Sequence, residues 1–383
     1  MATPILLVAT ATRWFGTARM PRALAKAGFD VALLTPRNSL AEHSRFVAKL
    51  GYVEDTATPR QWLHAFAAMV KATDPRIVMP CDDTAFLLLQ SLVVSPPDRL
   101  EPTLALQLGA LIRQSLGDPA WYRTSVDKTL LPAAAEALGV RVPPWMLVER
   151  LAQAENFAAD HGYPLVVKRR HSSAGDGVAI CANRQELAEA IAQLARADAA
   201  ALPDGGVAPL LVQAYLSGGT RFYPSIAWQG TLMTGYAGEK IEANPAPKGP
   251  PTVNRYFHSP ALREFAARLA RGFGITGFFS PEFVVDERTG EPCLMEINRR
   301  LVGGAHRGSA IGVDHCAALF AAVNGTTSST RTDLAEGEEH YTVHFPQEWL
   351  RDDASHWLRD HPVDVPWDEP ELIEAMLALR SEH

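Results

Sequence analysis

Glu282, Glu296 and Asn298 bracket a turn signalled by Thr289 and Gly290 in the stretch PEFVVDERTGEPCLMEIN, which reads as two antiparallel strands. Alternation along the second strand puts Glu296 and Asn298 on one face and Ile297 on the other, and the partner strand can bring Glu282 alongside. Two carboxylates and a carboxamide on a rigid hairpin form a hard-oxygen site suited to magnesium, or to manganese in its place, with substrate phosphates completing the coordination. Phe283, Val284, Val285, Leu294, Met295 and Ile297 make the surroundings apolar, so carboxylates without a counter-ion are costly there. Arg300 follows Asn298 by two residues. On an extended backbone it keeps that face, where it can neutralise a transferring phosphoryl group or grip a carboxylate through two N–H groups.

Two lysines supply the matching cations. Lys128 follows Asp127 at the start of a helical pattern, and Lys168 ends the strand Leu165 to Val167 just before the loop His171 to Val178. An ammonium is a compact charge that suits phosphate oxygens. Ser172, Ser173, Gly175 and Gly177 let several backbone N–H groups of that loop turn inward as a nest for phosphate. No GK[ST] follows, so this is not a Walker loop. Alone, each lysine reads as a solvated charge and the loop as a hairpin turn. Cations, an acidic metal cage and a phosphate loop in one chain are what splitting ATP to activate a carboxylate requires.

The elements that must carry these residues begin with a βαβ rhythm. Apolar runs Ile5 to Thr10 and Val31 to Leu34 flank a helical pattern from Thr17 to Ala27 that Gly28 stops. A helix from Pro59 to Thr73, a strand from Ile77 to Met79 and a helix after Asp82 and Asp83 continue it, predicting a doubly wound parallel sheet that ends near Gly117. The turn after the first strand, TATRWFGTAR, has one glycine where a dinucleotide site needs GxGxxG, which argues against a nicotinamide or flavin enzyme. Asp82 and Asp83 stand at the strand edge where open α/β sheets bind ligands, and equally well as a helix cap with an acidic first turn. Further on, DKTLLPAAAEALGVRVPPWMLV reads as a lysine-bearing helix, a stop at Gly139 and a strand. Then come a helix from Leu151 to His161, a turn-rich break from Pro203 to Pro209, a strand from Leu210 to Tyr215, and a hairpin from Ser217 to Met233 with Gly230 in its turn. Ala243 to Pro251 reads as a mobile loop and Pro260 to Phe273 as a helix. RRLVGGAHRGSAIG reads as irregular, His315 to Val323 as a helix, Gly325 to Glu338 as a polar linker, and the tail from Tyr341 as a strand, an acidic turn and a helix.

At 383 residues the chain has room for two or three modules, and 47% hydrophobic with 21% charged residues is an ordinary globular composition. A net charge of -7 gives no basic field to draw in nucleic acid. Cys81, Cys181, Cys293 and Cys316 form no CxxC pair, against a zinc site or a disulfide framework and in keeping with a cytoplasmic location. The apolar run from Pro4 to Thr12 is too short to span a bilayer and reads as a buried first strand, so no membrane partner is expected.

In their order from about Val126 to Gly312, these motifs resemble the ATP-grasp superfamily, and the N-terminal sheet resembles the module that precedes it there. The resemblance implies an α/β chain (α+β in its ATP-grasp part): a doubly wound pre-ATP-grasp domain over 1–117, a lid subdomain with the phosphate loop over 118–215, a larger subdomain with the metal site over 216–325, and a C-terminal tail over 326–383 packing on the core. Its two antiparallel-sheet subdomains would clamp ATP. By similarity Lys128 and Lys168 bind the α- and β-phosphates and Ser172 to Gly177 close over the γ-phosphate. Gln213, Ala214, Tyr215 and Leu216 form the hinge strand at adenine, and Glu282, Glu296 and Asn298 hold magnesium. Arg300, with Lys168 and Asn298, acts on the reacting acyl phosphate. Apart from the resemblance, His306 and Arg307 in the glycine-rich loop can orient either substrate, and Arg255 is a loop residue where specificity can lie.

Three departures stand out: QAY replaces the usual QEY at the hinge, Thr220 and Arg221 stand where an acidic residue often binds ribose, and NRR replaces NPR. The tail VDVPWDEPELIEAM resembles the closing segment of ligase-like members. The activity implied is activation of a carboxylate by ATP as an acyl phosphate, with ADP formed, and transfer to an amine, the partners being an amino acid or small acid and an amine, in a protein that can be a homodimer. The alternatives are a catalytically weak ATP-binding regulatory module, and a carboxylase or phosphotransferase of the same fold.

Overall fold

A computed structural model describes residues 2–54, 56–97, 100–170, 177–201, 209–246 and 249–379, with the backbone alone for 197–201. Packing gathers the chain into two units: Met1–Ala120 with Phe222–Ser280 and Asn298–His383, and Trp121–Arg221 with Pro281–Ile297. The finer division into four segments is a proposal.

The first unit opens with β1 (Thr3–Val8), α1 (Phe15–Ala27), β2 (Phe29–Pro36), β3 (Lys49–Val53), α2 (Pro59–Thr73), β4 (Ile77–Pro80), α3 (Asp83–Val94) and α4 (Pro102–Leu116). The strands form a parallel sheet in the order β3-β2-β1-β4. Strand order reverses between β1 and β4, which opens a crevice at their carboxyl ends. Ile5, Leu6, Leu7 and Val8 are fully buried, because crossover helices cover both faces of such a sheet and leave no polar side. α2 starts where Thr58 and Gln61 cap each other reciprocally, the local signal that marks its first turn.

The second unit carries α5 (Leu131–Ala137), β5 (Trp145–Val148), α6 (Leu151–His161), β6 (Leu165–Lys168), β7 (Val178–Cys181), α7 (Arg184–Ala201) and β8 (Leu210–Ala214). Its sheet is antiparallel in the order β5-β8-β6-β7. Phe157 of α6 and Leu187 and Ile191 of α7 close over Val148, Leu165, Val167, Leu210 and Val212, forming this unit's own core. Lys128, expected to start a helix, lies in a turn three residues before α5. The Asp127 side chain takes the Thr129 N–H, and the proline at the helix start sets its first turn at Leu131.

After β9 (Thr220–Phe222) the chain forms the hairpin β10 (Ser225–Trp228) and β11 (Thr231–Gly235), turned at Gln229 and Gly230 with φ of 48° and 78°. Two successive positive φ values belong to the tight hairpin turn whose twist matches the strands. Next come β12 (Ala237–Ala243), β13 (Pro251–Phe257), α8 (Pro260–Gly272), β14 (Gly277–Val285), β15 (Pro292–Asn298), α9 (His315–Asn324), β16 (Glu339–Val343), α10 (Gln347–Arg351), α11 (Trp357–Asp360) and α12 (Pro370–Ala378). In the first unit β12, β13 and β16 form an antiparallel run, and the start of β14 pairs with β10. Leu372 and Met376 of α12 sit in one apolar cluster with Ile5, Leu24, Leu33, Met79 and Leu319. The chain is thus an α/β protein with a parallel sheet followed by antiparallel ones, as expected. Residues 305–311, expected to be irregular, form a 3₁₀ turn. The four cysteines are free and buried. No helix among the described residues is long and apolar enough to cross a membrane.

Candidate functional site

In the second unit the ends of two segments bring the lysines together. Asp127 is fully buried, its Oδ1 accepting from Thr129 N at 2.9 Å and Thr129 Oγ1 at 2.6 Å, while Oδ2 lies 3.1 Å from Arg170 Nε. Lys128 N donates to the Arg170 carbonyl at 3.0 Å. This latch ties the turn of Lys128 to the end of β6, whose last residue is Lys168. Lys128 Nζ reaches Glu296 Oε2 of β15 at 2.8 Å. Burial lowers Lys168 to about 8, the nearby Glu296 opposing the shift and Lys128 adding to it. Both ammonium groups lie within the influence of the Glu296 carboxylate, and Lys168 is only 4% exposed. An anion is the natural complement.

Glu282 stands half-buried on β14, and Glu296 is also half-buried. Glu296 and Asn298 lie two apart on β15, so they share a strand face. Among the described residues no three His, Cys, Asp or Glu are grouped so as to hold a metal ion by themselves. A cation here would therefore draw on carboxylate and carboxamide oxygens plus ligand oxygens, which suits a hard ion that keeps part of its shell outside the protein.

Ser172, Ser173 and Gly175 lie outside the described residues. Gly177 has φ of 73°, and its carbonyl accepts from Arg169 N at 3.0 Å. A Cβ there would overlap the Arg169 side chain, so glycine is required twice over. At the hinge Gln213 is buried in β8, Ala214 N donates to the Pro144 carbonyl at 2.9 Å, and Tyr215 N donates to the Pro164 carbonyl at 3.3 Å. Tyr215 is exposed and Leu216 half-buried.

In the first unit Arg300 forks onto Asp83, Nε to Oδ1 at 3.1 Å and Nη2 to Oδ2 at 3.2 Å, and Nη1 donates to the Leu301 carbonyl at 3.1 Å. Asp82 is a cap: it takes Ala85 N at 2.9 Å, Thr10 Oγ1 at 2.6 Å, and the N–H groups of Thr10 and Ala11 at 2.6 and 3.1 Å. Arg299 is buried, donating to the Leu116 carbonyl at 2.6 Å with its guanidinium 5.1 Å from the Phe86 ring. Of the two consecutive arginines, Arg299 braces the core and Arg300 faces the crevice edge.

His306 and Arg307 both turn to Asp364 in the tail, at 2.5 and 3.5 Å, and Arg19 of α1 reaches the same carboxylate at 2.5 Å. Burial lowers His306, the nearby Asp364 carboxylate opposing the shift, and the ring Nε2 pairs with that carboxylate. Burial alone would raise Asp364, but His306, Arg19 and Arg307 outweigh it and hold this carboxyl well below the usual range. Arg255, expected in a loop, lies on β13 and pairs with Glu239 at 2.7 Å and Glu339 at 3.1 Å. The structure thus places the guanidinium groups of Arg255 and Arg307 and the His306 ring on acidic partners within the chain. Arg19 and Asp364 were missed by sequence reasoning, since no local pattern links residues 345 apart.

The ATP-grasp domain family model matches residues 133–226. The mitochondrial arginine-specific carbamoyl phosphate synthase large chain of Neurospora crassa is 24% identical over 275 residues, 68% of this chain and 23% of that protein. The chain spans less than a quarter of the length of the curated relatives it matches. Among solved structures, the biotin carboxylase domain of Hydrogenobacter thermophilus 2-oxoglutarate carboxylase, in complex with MgADP, ADP and bicarbonate, aligns at TM-score 0.67 with 17% identity, over 89% of this chain and 74% of that one. The L-amino acid ligase of Bacillus licheniformis aligns at TM-score 0.58 with 14% identity, over 84% and 74%. These likenesses concern the fold. The family match lies mostly in the unit that gathers the two lysines, and residues 133–226 are identified by it as an ATP-grasp domain.

Proposed function

We propose that this protein is an ATP-dependent carboxylate–amine ligase. The observation that carries the reading is the convergence of Lys128, Lys168 and Glu296 within the segment group that the ATP-grasp match overlaps. Lys128 and Lys168 hold the phosphates of ATP, and the backbone from Gln213 to Leu216 receives adenine. Glu282, Glu296 and Asn298 would hold magnesium, which when bound supplies charge neutralisation and alignment of the terminal phosphates. A substrate carboxylate oxygen attacks the γ-phosphorus, the bond to the β-phosphate oxygen breaks, and ADP leaves as the lysines balance the charge spreading over the equatorial oxygens. The amine then attacks the acyl carbon, loses its proton and expels phosphate. Arg300 is assigned to the reacting carboxylate.

One titration follows from Lys168. Its ammonium must be charged to hold a phosphate, so nucleotide affinity should be flat below pH 8 and fall toward about tenfold per pH unit above it. Fold stability moves the other way, rising between pH 8 and the ordinary lysine range because the unfolded chain there binds the extra proton. Calorimetric ADP titrations from pH 6.5 to 9.5 read the first effect, and affinity that stays constant to pH 9.5 would remove Lys168 from the phosphates.

The reaction is tested by phosphate release across pairs of acids and amines, with bicarbonate as one of the acids. Equal yields of ADP, phosphate and amide are expected, and AMP in the products would sink the mechanism. ADP release that needs bicarbonate alone would favour a carboxylase, the reading suggested by the carboxylase among its structural neighbours.

A further inference from the structure

At the crevice by the carboxyl ends of β1 and β4, Arg300 is accompanied by two side chains, Asp83 and Trp14, to which the phosphate and metal chemistry gives no role. Asp83, the first residue of α3, keeps 43% of its side chain exposed although both its oxygens accept from Arg300, whose own side chain is 16% exposed. Trp14, from the turn after β1, lies with its ring 5.7 Å from the Arg300 guanidinium, and its indole Nε1 is buried without a hydrogen-bond partner. The start of α1 comes close to Gly303, since a Cβ built on Gly16 would lie 3.5 Å from Gly303 N, and beside Gly303 itself a Cβ would meet nothing within 4 Å. A positive group, a negative group and an aromatic ring therefore stand together at the point of the sheet where ligands enter open α/β folds.

An exposed arginine–aspartate pair contributes little to stability. Here, however, Arg300 is held by three acceptor contacts, two from Asp83 and one from the Leu301 carbonyl, so the pair has a set orientation. The half-exposed Asp83 retains lone pairs for a further donor. An α-amino acid carries a carboxylate and an ammonium on neighbouring atoms, which can lie antiparallel against such a pair, carboxylate to Arg300 and ammonium to Asp83, with the Trp14 face beside the cation. A simple carboxylic acid satisfies only the arginine and brings its own negative charge toward Asp83.

We propose that Asp83, Arg300 and Trp14 form a subsite for a zwitterionic α-amino acid, in which Asp83 selects for the ammonium group. That this amino acid is the acid activated by ATP rests on the ligase reading above. The subsite itself does not.

The test is calorimetric titration of the twenty standard L-amino acids and their des-amino counterparts into the full chain with MgADP, for instance L-phenylalanine against 3-phenylpropanoate and L-leucine against 4-methylpentanoate. At least one amino acid should bind roughly a hundredfold more tightly than its des-amino partner. Asp83→Asn should weaken that amino acid roughly thirtyfold and leave the des-amino acid unchanged. Asp83→Glu, which keeps the charge, should restore part of the preference, and an unshifted thermal midpoint shows that each variant is folded. Equal binding of acid and amino acid, no binding of any amino acid, or equal losses for both in Asp83→Asn would overturn the subsite, the last by showing that Asp83 only orients Arg300. ADP release by the same mixtures with ATP and an amine is scored separately. Binding without ADP release leaves the subsite standing and defeats the ligase reading.

Discussion

Glu296→Gln is expected to lower kcat about a thousandfold, ~4 kcal/mol of transition-state stabilisation, while the protein stays folded. Glutamine keeps the shape and one oxygen, but it removes the negative charge that serves a cation and also sits 2.8 Å from Lys128. The two roles separate in the same variant. With the carboxylate gone, the Glu296 charge no longer competes with a phosphate for Lys128, so ADP should bind no more weakly than to wild type when magnesium is absent. The additional affinity that magnesium confers should be lost. Single-turnover rates and ADP titrations with and without magnesium read both effects. Turnover close to wild type would mean that the metal is held elsewhere, and weaker metal-free binding would mean that Glu296 positions the lysines rather than competing for them.

The second large effect is expected far from any phosphate. Asp364→Ala should destabilise the first unit by about 3–5 kcal/mol, because Arg19 and Arg307 would lose the carboxylate that compensates them and Arg19 is almost wholly buried. Asp364→Asn, which keeps an acceptor for His306 and Arg19, should cost less. Because the Asp364 carboxyl is held below its unfolded value, its stabilising contribution is fully present above about pH 4 and disappears as pH falls further through the folded value. The gap between wild type and Asp364→Ala in urea denaturation should therefore be constant from pH 5 to 8 and narrow only in stronger acid. Superimposed curves at pH 7 would show that the network adds nothing net.

Local signals account for the elements that were legible beforehand. The Thr58–Gln61 cap, Gly28 as the stop of α1 and the Gln229–Gly230 turn are each written within a few residues, and so α1, α2 and the β10–β11 hairpin could be placed. β3 was not, since KLGYV has a central glycine and lies largely at the surface, without the apolar alternation that marks a half-buried strand. The polar AGEKIEA of β12 hid its strand for a related reason: it is ordered by its pairing with β13. At the candidate site, lysine spacing and the glycine-rich turn drew attention to Lys128 and Lys168, which the fold sets beside Glu296. Asp83 with Arg300, and Asp364 with Arg19, are pairs 217 and 345 residues apart, and nothing in either neighbourhood names its partner. His306 and Arg307 stood out as polar residues in a glycine-rich loop. Their attachment to Asp364 depends on how a distant tail returns.

The second unit is assembled from two stretches of chain, with Glu296 supplied by the later one. During synthesis Lys168 emerges 128 residues ahead of Glu296, and Lys128 emerges 168 residues ahead. At ribosomal speeds of about 5–20 residues per second, the two cations wait roughly 6–34 seconds for their counter-charge. The Asp127–Arg170 latch, built wholly from the early stretch, can already tie the Lys128 turn to the end of β6 in that interval.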